Sequence, residues 1–286
     1  MKISLRLCLV PLFLIAICCP LFAGDVRIGL VSYWPFETVN GNTTPDLAFG
    51  NHLVLNNMTV ANIDPNGARS NAFSFNGSTQ FLGMAHTNNA TLTNNLGLPI
   101  YSLKRYTVMF WAKGAAGQNN KVVFSEGTSN TASGLFLIGT RNGTTGTPAG
   151  GLNASIRTAG GTTILPNTLS AAPAFDGLWR QITWVDDAGT VKVYIDGVLD
   201  LAAYNYTQSS IAFNTIAVGA LIRTNVGNFF AGSIDEVALW ERTLSKSEID
   251  EVRTNGLVTP IPVFAPTITT QPASPTNHVG DWVFLS

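Results

Sequence analysis

Beyond its first two dozen residues the chain has no cysteine, since its three cysteines are Cys8, Cys18 and Cys19. Disulfides, thiolate metal sites and a cysteine nucleophile are thereby excluded from the rest, and stability must come from core burial or a bound ion. Charge is scarce, at 12% of residues, and the histidines are only His52, His86 and His278. Apart from the adjacent Lys104-Arg105 the basic residues are scattered singly, which leaves no electrostatic footprint for nucleic acid or an anionic membrane. There is no Gly-x-Ser-x-Gly elbow and no His-x-x-x-His pair to carry hydrolytic chemistry. The Gly-rich run at 139–151 has no following Lys-Ser/Thr, so it reads as a loop rather than a phosphate cradle. After residue 23 no stretch approaches the ~18 uninterrupted apolar residues of a membrane span. No helical period outlasts two turns before Ser245.

At the start, Lys2 and Arg6 precede an apolar run at 7–21, and Leu21-Phe22-Ala23 puts a small residue at a cleavage position. This pattern predicts a secretory leader over residues 1–23 and places the protein outside the cell or at its surface. Removing Lys2 and Arg6 leaves 14 basic residues against 17 acidic ones, a charge of about −3. Residues 24–256 then run without a break in composition, one domain's worth for an all-β sandwich. Short apolar or alternating runs between turn residues predict strands at 31–36, 53–55, 72–75, 80–84, 106–112, 121–125, 134–138, 152–156, 179–185, 191–195, 198–201, 215–219 and 233–240. Many short strands with frequent turns indicate an antiparallel two-sheet sandwich.

Asn76-Gly77 and Asp196-Gly197 are dipeptides of the two-residue hairpin, and Asp186-Asp187-Ala188-Gly189 marks a third turn. In Val191–Ile195 the alternation predicts Lys192 and Tyr194 on a wet face. Near the end, Ser245 stands three residues before Glu248, the capping-box spacing, and Gly256 follows where a left-handed residue closes a helix. One short C-terminal helix is expected there.

Six blocks in order carry a family resemblance: Val31–Glu37 (VSYWPFE), Asp46–Asn57 (DLAFGNHLVLNN), Ala68–Met84 (ARSNAFSFNGSTQFLGM), Tyr106–Lys113 (YTVMFWAK), Gly177–Asp200 and Phe229–Ile249 (FFAGSIDEVALWERTLSKSEI). Together they resemble LamG-like jelly-roll domains of the concanavalin A-like fold. The resemblance implies a structural calcium ion tying the N-terminal turn to the last strand. The matched positions are Asp46, Asp235 and, third, Glu37, in keeping with the oxygen ligands that Ca²⁺ takes. The alternative is that Asp46 starts a turn and Asp235 caps one, both without metal.

The same fold carries laminarinase-type hydrolases, which need paired carboxylates flanking the scissile bond. Their Glu-x-Asp-x-Glu run is absent here, and the adjacent Asp235 and Glu236 are expected on opposite faces of a strand. Sugar recognition asks for exposed flat rings beside polar groups. Tyr101, Tyr204 and Tyr206 lie in polar segments and are the candidate ligand-binding rings. Trp34, Trp111, Trp179 and Trp240 fall in strand blocks and are expected in the core, while Trp184 fits either place.

Residues 257–265 form a Pro-rich linker. Residues 266–286 resemble the first strands of a bacterial immunoglobulin-like domain, which needs about 100 residues, so further domains are expected downstream. The functional expectation is a non-catalytic extracellular module that binds carbohydrate or another cell-surface ligand within a larger secreted protein. Its alternatives are an architectural spacer or adhesin segment without a ligand, and a glycoside hydrolase or an accessory domain of one.

Overall fold

Two eight-stranded antiparallel sheets face each other in the computed structural model, which describes residues 25–86, 97–143 and 148–257. The leader at 1–23, nearly all of the linker and the immunoglobulin-like start lie outside those residues. In chain order the strands are β1 Leu30–Trp34, β2 Thr43–Thr44, β3 Leu53–Asn56, β4 Ile63–Asp64, β5 Ala72–Asn76 and β6 Phe81–Ala85. There follow β7 Arg105–Gly114, β8 Val122–Gly127, β9 Leu135–Thr140, β10 Gly151–Arg157, β11 Thr163–Pro173 and β12 Trp179–Asp187. The last are β13 Thr190–Ile195, β14 Val198–Leu199, β15 Thr215–Val218, β16 Leu221–Ile222, β17 Val226–Gly227 and β18 Ala231–Trp240, before helix α1 at Lys246–Asn255. The front sheet runs β14-β13-β12-β7-β18-β5-β4 with β1 also paired to β18, and the back sheet runs β11-β10-β9-β8-β15-β6-β3-β2. This is the all-β jelly-roll sandwich that the strand pattern implies.

Alternation along each strand sorts the apolar residues between layers. Phe110, Ile182, Trp184 and Val193 from the front sheet meet Phe124, Phe136, Ile138 and Ile156 from the back sheet in one core. Trp184 packs on Phe136 with ring centroids 5.6 Å apart and edge-on against Tyr204 at 5.8 Å. Burying a side chain of this size contributes roughly 1.5–3 kcal/mol, which makes cysteine unnecessary for holding the layers together. A second cluster covers the outside of the front sheet, where Tyr33, Met109, Tyr194 and Trp240 lie under Leu244, Ile249 and Val252 of the helical segment. Tyr194 is therefore buried, and the wet face expected for β13 is limited to Thr190 and Lys192.

The helix forms as its cap predicts. The Ser245 hydroxyl accepts from the Glu248 N–H, the Glu248 carboxylate accepts from the Ser245 N–H, and Gly256 follows at φ 72°. Arg242 adds an ion pair to Glu248 at 2.7 Å. Asp196 and Gly197 both take positive φ and close the β13–β14 hairpin. Asn76-Gly77 does something different from the expected hairpin. β5 pairs with β18 and β4, whereas β6 pairs with β15 and β3, so this turn passes the chain from one sheet to the other. The Asn76 side chain holds the crossing by accepting from the N–H groups of Ser78, Thr79 and Gln80.

Besides the two-residue strands β2 and β4, the sequence pattern misses β11 and the β16–β17 hairpin. β11 is eleven residues long and mostly exposed or half-buried, with Leu165 and Ser170 its only buried residues. It forms the edge of the back sheet, where Pro166 and Pro173 are tolerated because no further strand needs their missing N–H. The β16–β17 hairpin lies on the outer face of the back sheet. It approaches β8 so closely that a Cβ on Gly127 would fall 1.9 Å from the Ile222 carbonyl oxygen. Only glycine permits that contact.

Candidate functional site

Three places bear on function: an acidic corner at the end of β18, the tyrosine-rich interior, and a trough outside the back sheet. In the corner, the register between β18 and β7 slips between Asp235 and Ala238, and Glu236 adopts φ 53°. Ile234 and Val237 both belong to the main core, so the bulge puts the two residues between them together on the other side. The expectation that Asp235 and Glu236 face opposite ways is corrected by this bulge. The Tyr33 hydroxyl donates to Glu236 at 2.9 Å, and the Arg69 N–H donates to Asp235 Oδ2 at 3.1 Å. Burial pushes each carboxyl up to about 7, with the Glu236 charge adding to the effect on Asp235. Asp235 Oδ1 is buried with no hydrogen-bond partner.

Glu37 reaches the same corner and receives the Asn71 N–H at a long 3.4 Å. The loop from Gly67 to Asn71 wraps it, and a Cβ on Gly67 would lie 2.7 Å from the Asn71 carbonyl oxygen and 2.9 Å from Asp235 Oδ2. Asp46 is differently employed. Its Oδ1 accepts from the N–H groups of Tyr33 and Ala48, and its Oδ2 from those of Phe49 and Asn51. Both oxygens are thus consumed in pinning the 46–51 turn to β1. Among the described residues no three His, Cys, Asp or Glu side chains are grouped so as to hold a metal ion by themselves. A cation at Asp235 and Glu37 needs carbonyl oxygens of the surrounding loop as well.

The three candidate tyrosines turn inward, which corrects the expectation of exposed stacking rings. Tyr101 and Tyr204 are each 1% exposed, and Tyr206 is half-buried against the core. Tyr204 donates to Asp200 at 2.9 Å, and Tyr206 donates to Asp186 at 2.6 Å. A buried carboxylate in need of donors accounts for the inward turn of Tyr204 and Tyr206, whereas Tyr101 packs among Tyr106, Phe136 and Phe213. Of the tryptophans, Trp34, Trp184 and Trp240 are fully buried, but Trp111 and Trp179 lie partly open on the outer face of the front sheet. Both were expected inside.

The trough holds about 450 Å³. Its floor is Leu135 and Leu137 of β9 with Leu221 of β16, the apolar patch that also includes Val122. Amide side chains of Asn120, Asn142, Asn167 and Asn228 stand around it. Asn120 and Asn228 hold φ of 53° and 59°, a left-handed conformation that asparagine tolerates better than most residues. Asn228 Nδ2 donates to the Asn120 carbonyl at 2.9 Å and ties the two corners together. Arg157 of β10 and Arg223 of the β16–β17 turn complete the lining, which contains no carboxylate. Every back-sheet residue named here points outward because its neighbours, such as Phe136, Ile138 and Ile156, fill the core.

A second hollow of about 530 Å³ lies at the sandwich edge beside Val198, Leu199 and Leu201. Its acids are already committed: Asp196 to Arg180 at 2.7 Å, and Asp200 to the N–H groups of Ala171 and Ala172 and to Tyr204.

Sequence reasoning missed the trough because β11 and β16–β17 wall it, and neither has apolar alternation. The retrievable signal was the alternation Asn153, Ser155, Arg157 along β10, which marks a polar outward face.

No curated protein matches the chain. Solved structures match it at low identity, and they show the fold alone. The receptor binding domain of botulinum neurotoxin C/D mosaic serotype aligns at 14% identity with TM-score 0.57, over 80% of this chain and 51% of that one. A Trypanosoma rangeli sialidase in complex with 2,3-difluorosialic acid aligns at 14% and 0.55, over 79% of this chain and 32% of its own. Domain 4 of AbnA, a GH43 extracellular arabinanase from Geobacillus stearothermophilus, in complex with arabinotriose, aligns at 17% and 0.51, over 78% and 98%. The chain thus spans about half of the toxin structure and a third of the sialidase. No helix among the described residues is long and apolar enough to cross a membrane. A sequence profile covers residues 84–250, more than half of the chain, from β6 into α1. By that match the protein belongs to the concanavalin A-like lectin/glucanases superfamily.

Proposed function

We propose that the protein is a non-catalytic, secreted carbohydrate-binding module whose ligand lies in the trough on the outer face of the back sheet. The observation that carries this reading is the lining itself: four amides and two guanidiniums around an aliphatic floor, with no acid among them. Amides both donate and accept, which suits the paired hydroxyls of a sugar, while a small apolar floor suits the C–H face of a pyranose. Glycoside hydrolysis needs two carboxylates across the bond. The trough has none, and the acids of the second hollow are consumed by ion pairing and backbone N–H groups. The architectures of a toxin receptor-binding domain and of an arabinanase domain bound to arabinotriose support the reading by analogy.

Calcium enters as a structural ligand of the acidic corner. The orphaned Asp235 Oδ1, the loosely held Glu37 and the close Gly67–Asn71 loop fit a hard cation, whereas the saturated Asp46 does not. The ion, when bound, supplies positive charge that keeps Asp235 and Glu37 ionised and ties the loop to β18. Neither it nor the corner takes part in binding sugar. The test of the main reading is a glycan array followed by calorimetry. We expect the domain to bind a defined oligosaccharide, and the double variant Asn142→Ala/Asn167→Ala, both at exposed positions, to lose at least tenfold in affinity. Absence of any glycan binding, or undiminished binding by the double variant, overturns it.

A further inference from the structure

Among the described residues, neither of the two arginines in the trough has a counter-charge. The Arg157 side chain makes no hydrogen bond or ion pair among the described residues, and Arg223 makes none with a carboxylate. Arg180, by contrast, pairs with both Asp176 and Asp196. Arg223 donates from Nη1 to the Ala132 carbonyl, but its Nε is buried with no acceptor. A guanidinium carries five donors in a rigid fork that matches a planar oxyanion, and an N–H left buried without a partner is costly. The proximity of Arg157 and the burial of Arg223 both act on it in the same sense, holding its guanidinium below the ordinary arginine range, burial being the larger cause. Two like charges have been gathered into one polar hollow in a chain that is otherwise poor in charge and slightly acidic.

We propose that the trough selects an acidic glycan, a sugar bearing a carboxylate or a sulfate ester, with Arg157 and Arg223 taking its oxyanion and the asparagines its hydroxyls. The inference rests on the carbohydrate reading above and narrows it to a substrate class. An oxyanion in the trough would meet the guanidinium edges that line it and relieve the repulsion between the two cations, which a neutral sugar hydroxyl does only in part.

The experiment is titration calorimetry with three trisaccharides: galacturonic acid units, the same compound as its methyl ester, and a sulfated galactose equivalent. We expect the free acid, the sulfated compound or both to bind at least tenfold more tightly than the methyl ester. That preference should shrink as salt rises from 50 to 300 mM. Arg157→Gln and Arg223→Gln should each abolish the preference. Arg105→Gln, which removes the same charge from an exposed pair with Asp187, should leave it intact. Should Arg223→Gln fail to fold by circular dichroism, Arg157→Gln alone carries the test. The acid-versus-sulfate arms identify which oxyanion is preferred, either result supporting the inference. Equal binding of acid, sulfate and ester overturns the inference while leaving the carbohydrate reading standing. Binding of no glycan of any charge overturns both.

Discussion

Glu126 shows how one buried side chain can set a response of the whole fold. It is fully buried in β8, and its carboxylate accepts from the N–H groups of Ile100 at 2.6 Å and Tyr101 at 3.1 Å. Burial pushes its carboxyl up to about 8, and the two donors oppose that shift without cancelling it. A raised carboxyl means that the folded state holds a proton the unfolded state has released. Its stabilising contribution is therefore complete below pH 4.5, the ordinary glutamate value, and is lost as pH rises through about 8. We expect Glu126→Gln to flatten the fall in melting temperature between about pH 5 and 8, while costing about 1–3 kcal/mol because an amide offers one acceptor where two are used. A differential scanning series that keeps the same slope in the variant refutes this assignment. Asp46 belongs to the same scale. Four N–H groups depend on it, so Asp46→Ala should cost at least about 2 kcal/mol without altering any response to metal.

At the level of elements, what could be read from the chain was whatever obeyed a short-range rule. The capping box of Ser245 and Glu248 is a local hydrogen-bond pattern, and the helix starts where it says. We expect Ser245→Ala to remove the cap and cost about 1 kcal/mol, which for a domain of this size lowers the melting temperature by about 2–4 °C. No measurable shift would mean that the Arg242–Glu248 pair and the packing of Ile249 hold the helix without its cap. Strands with alternating apolar residues were legible for the same reason, since period two follows from the pleat. β11 was not, because an edge strand needs only one buried contact, Leu165, and can carry prolines. Nor could Asn76-Gly77 reveal that it joins two sheets, because partner choice is a property of the assembled sandwich. Trp111 and Trp179 stay partly open although both sit in strand-like blocks, since the helix covers only one end of the front sheet. The candidate tyrosines failed as surface rings for a related reason. Tyr204 and Tyr206 turn inward to donate to the buried Asp200 and Asp186, the second of them 20 residues away in the chain, and Tyr101 packs among core rings.

For the whole molecule, the outer faces of the two sheets have divided their labour. The front face is closed at one end by α1 and anchored at β18 by a corner of acids, while the back face carries the trough. If calcium occupies the corner, its effect must oppose that of protons, and this gives a signature that structure-neutral changes do not share. Without metal, the raised carboxyls of Asp235 and Glu236 stabilise the fold fully below pH 3.8, and that contribution fades as pH rises through about 7. Calcium requires the ionised carboxylates, so its stabilisation should be small at pH 5.5 and large at pH 8. We expect a chelator to lower the melting temperature by several degrees at pH 8 and hardly at all at pH 5.5. Asp235→Asn should erase the difference, whereas Asp46→Ala should lower every melting temperature and keep it. Sugar affinity in the trough should not change with the chelator, because no trough residue shares a contact with the corner. A chelator effect that is equal at both pH values, or that survives Asp235→Asn, rules out a cation at this corner and leaves the buried acids as proton-linked struts alone.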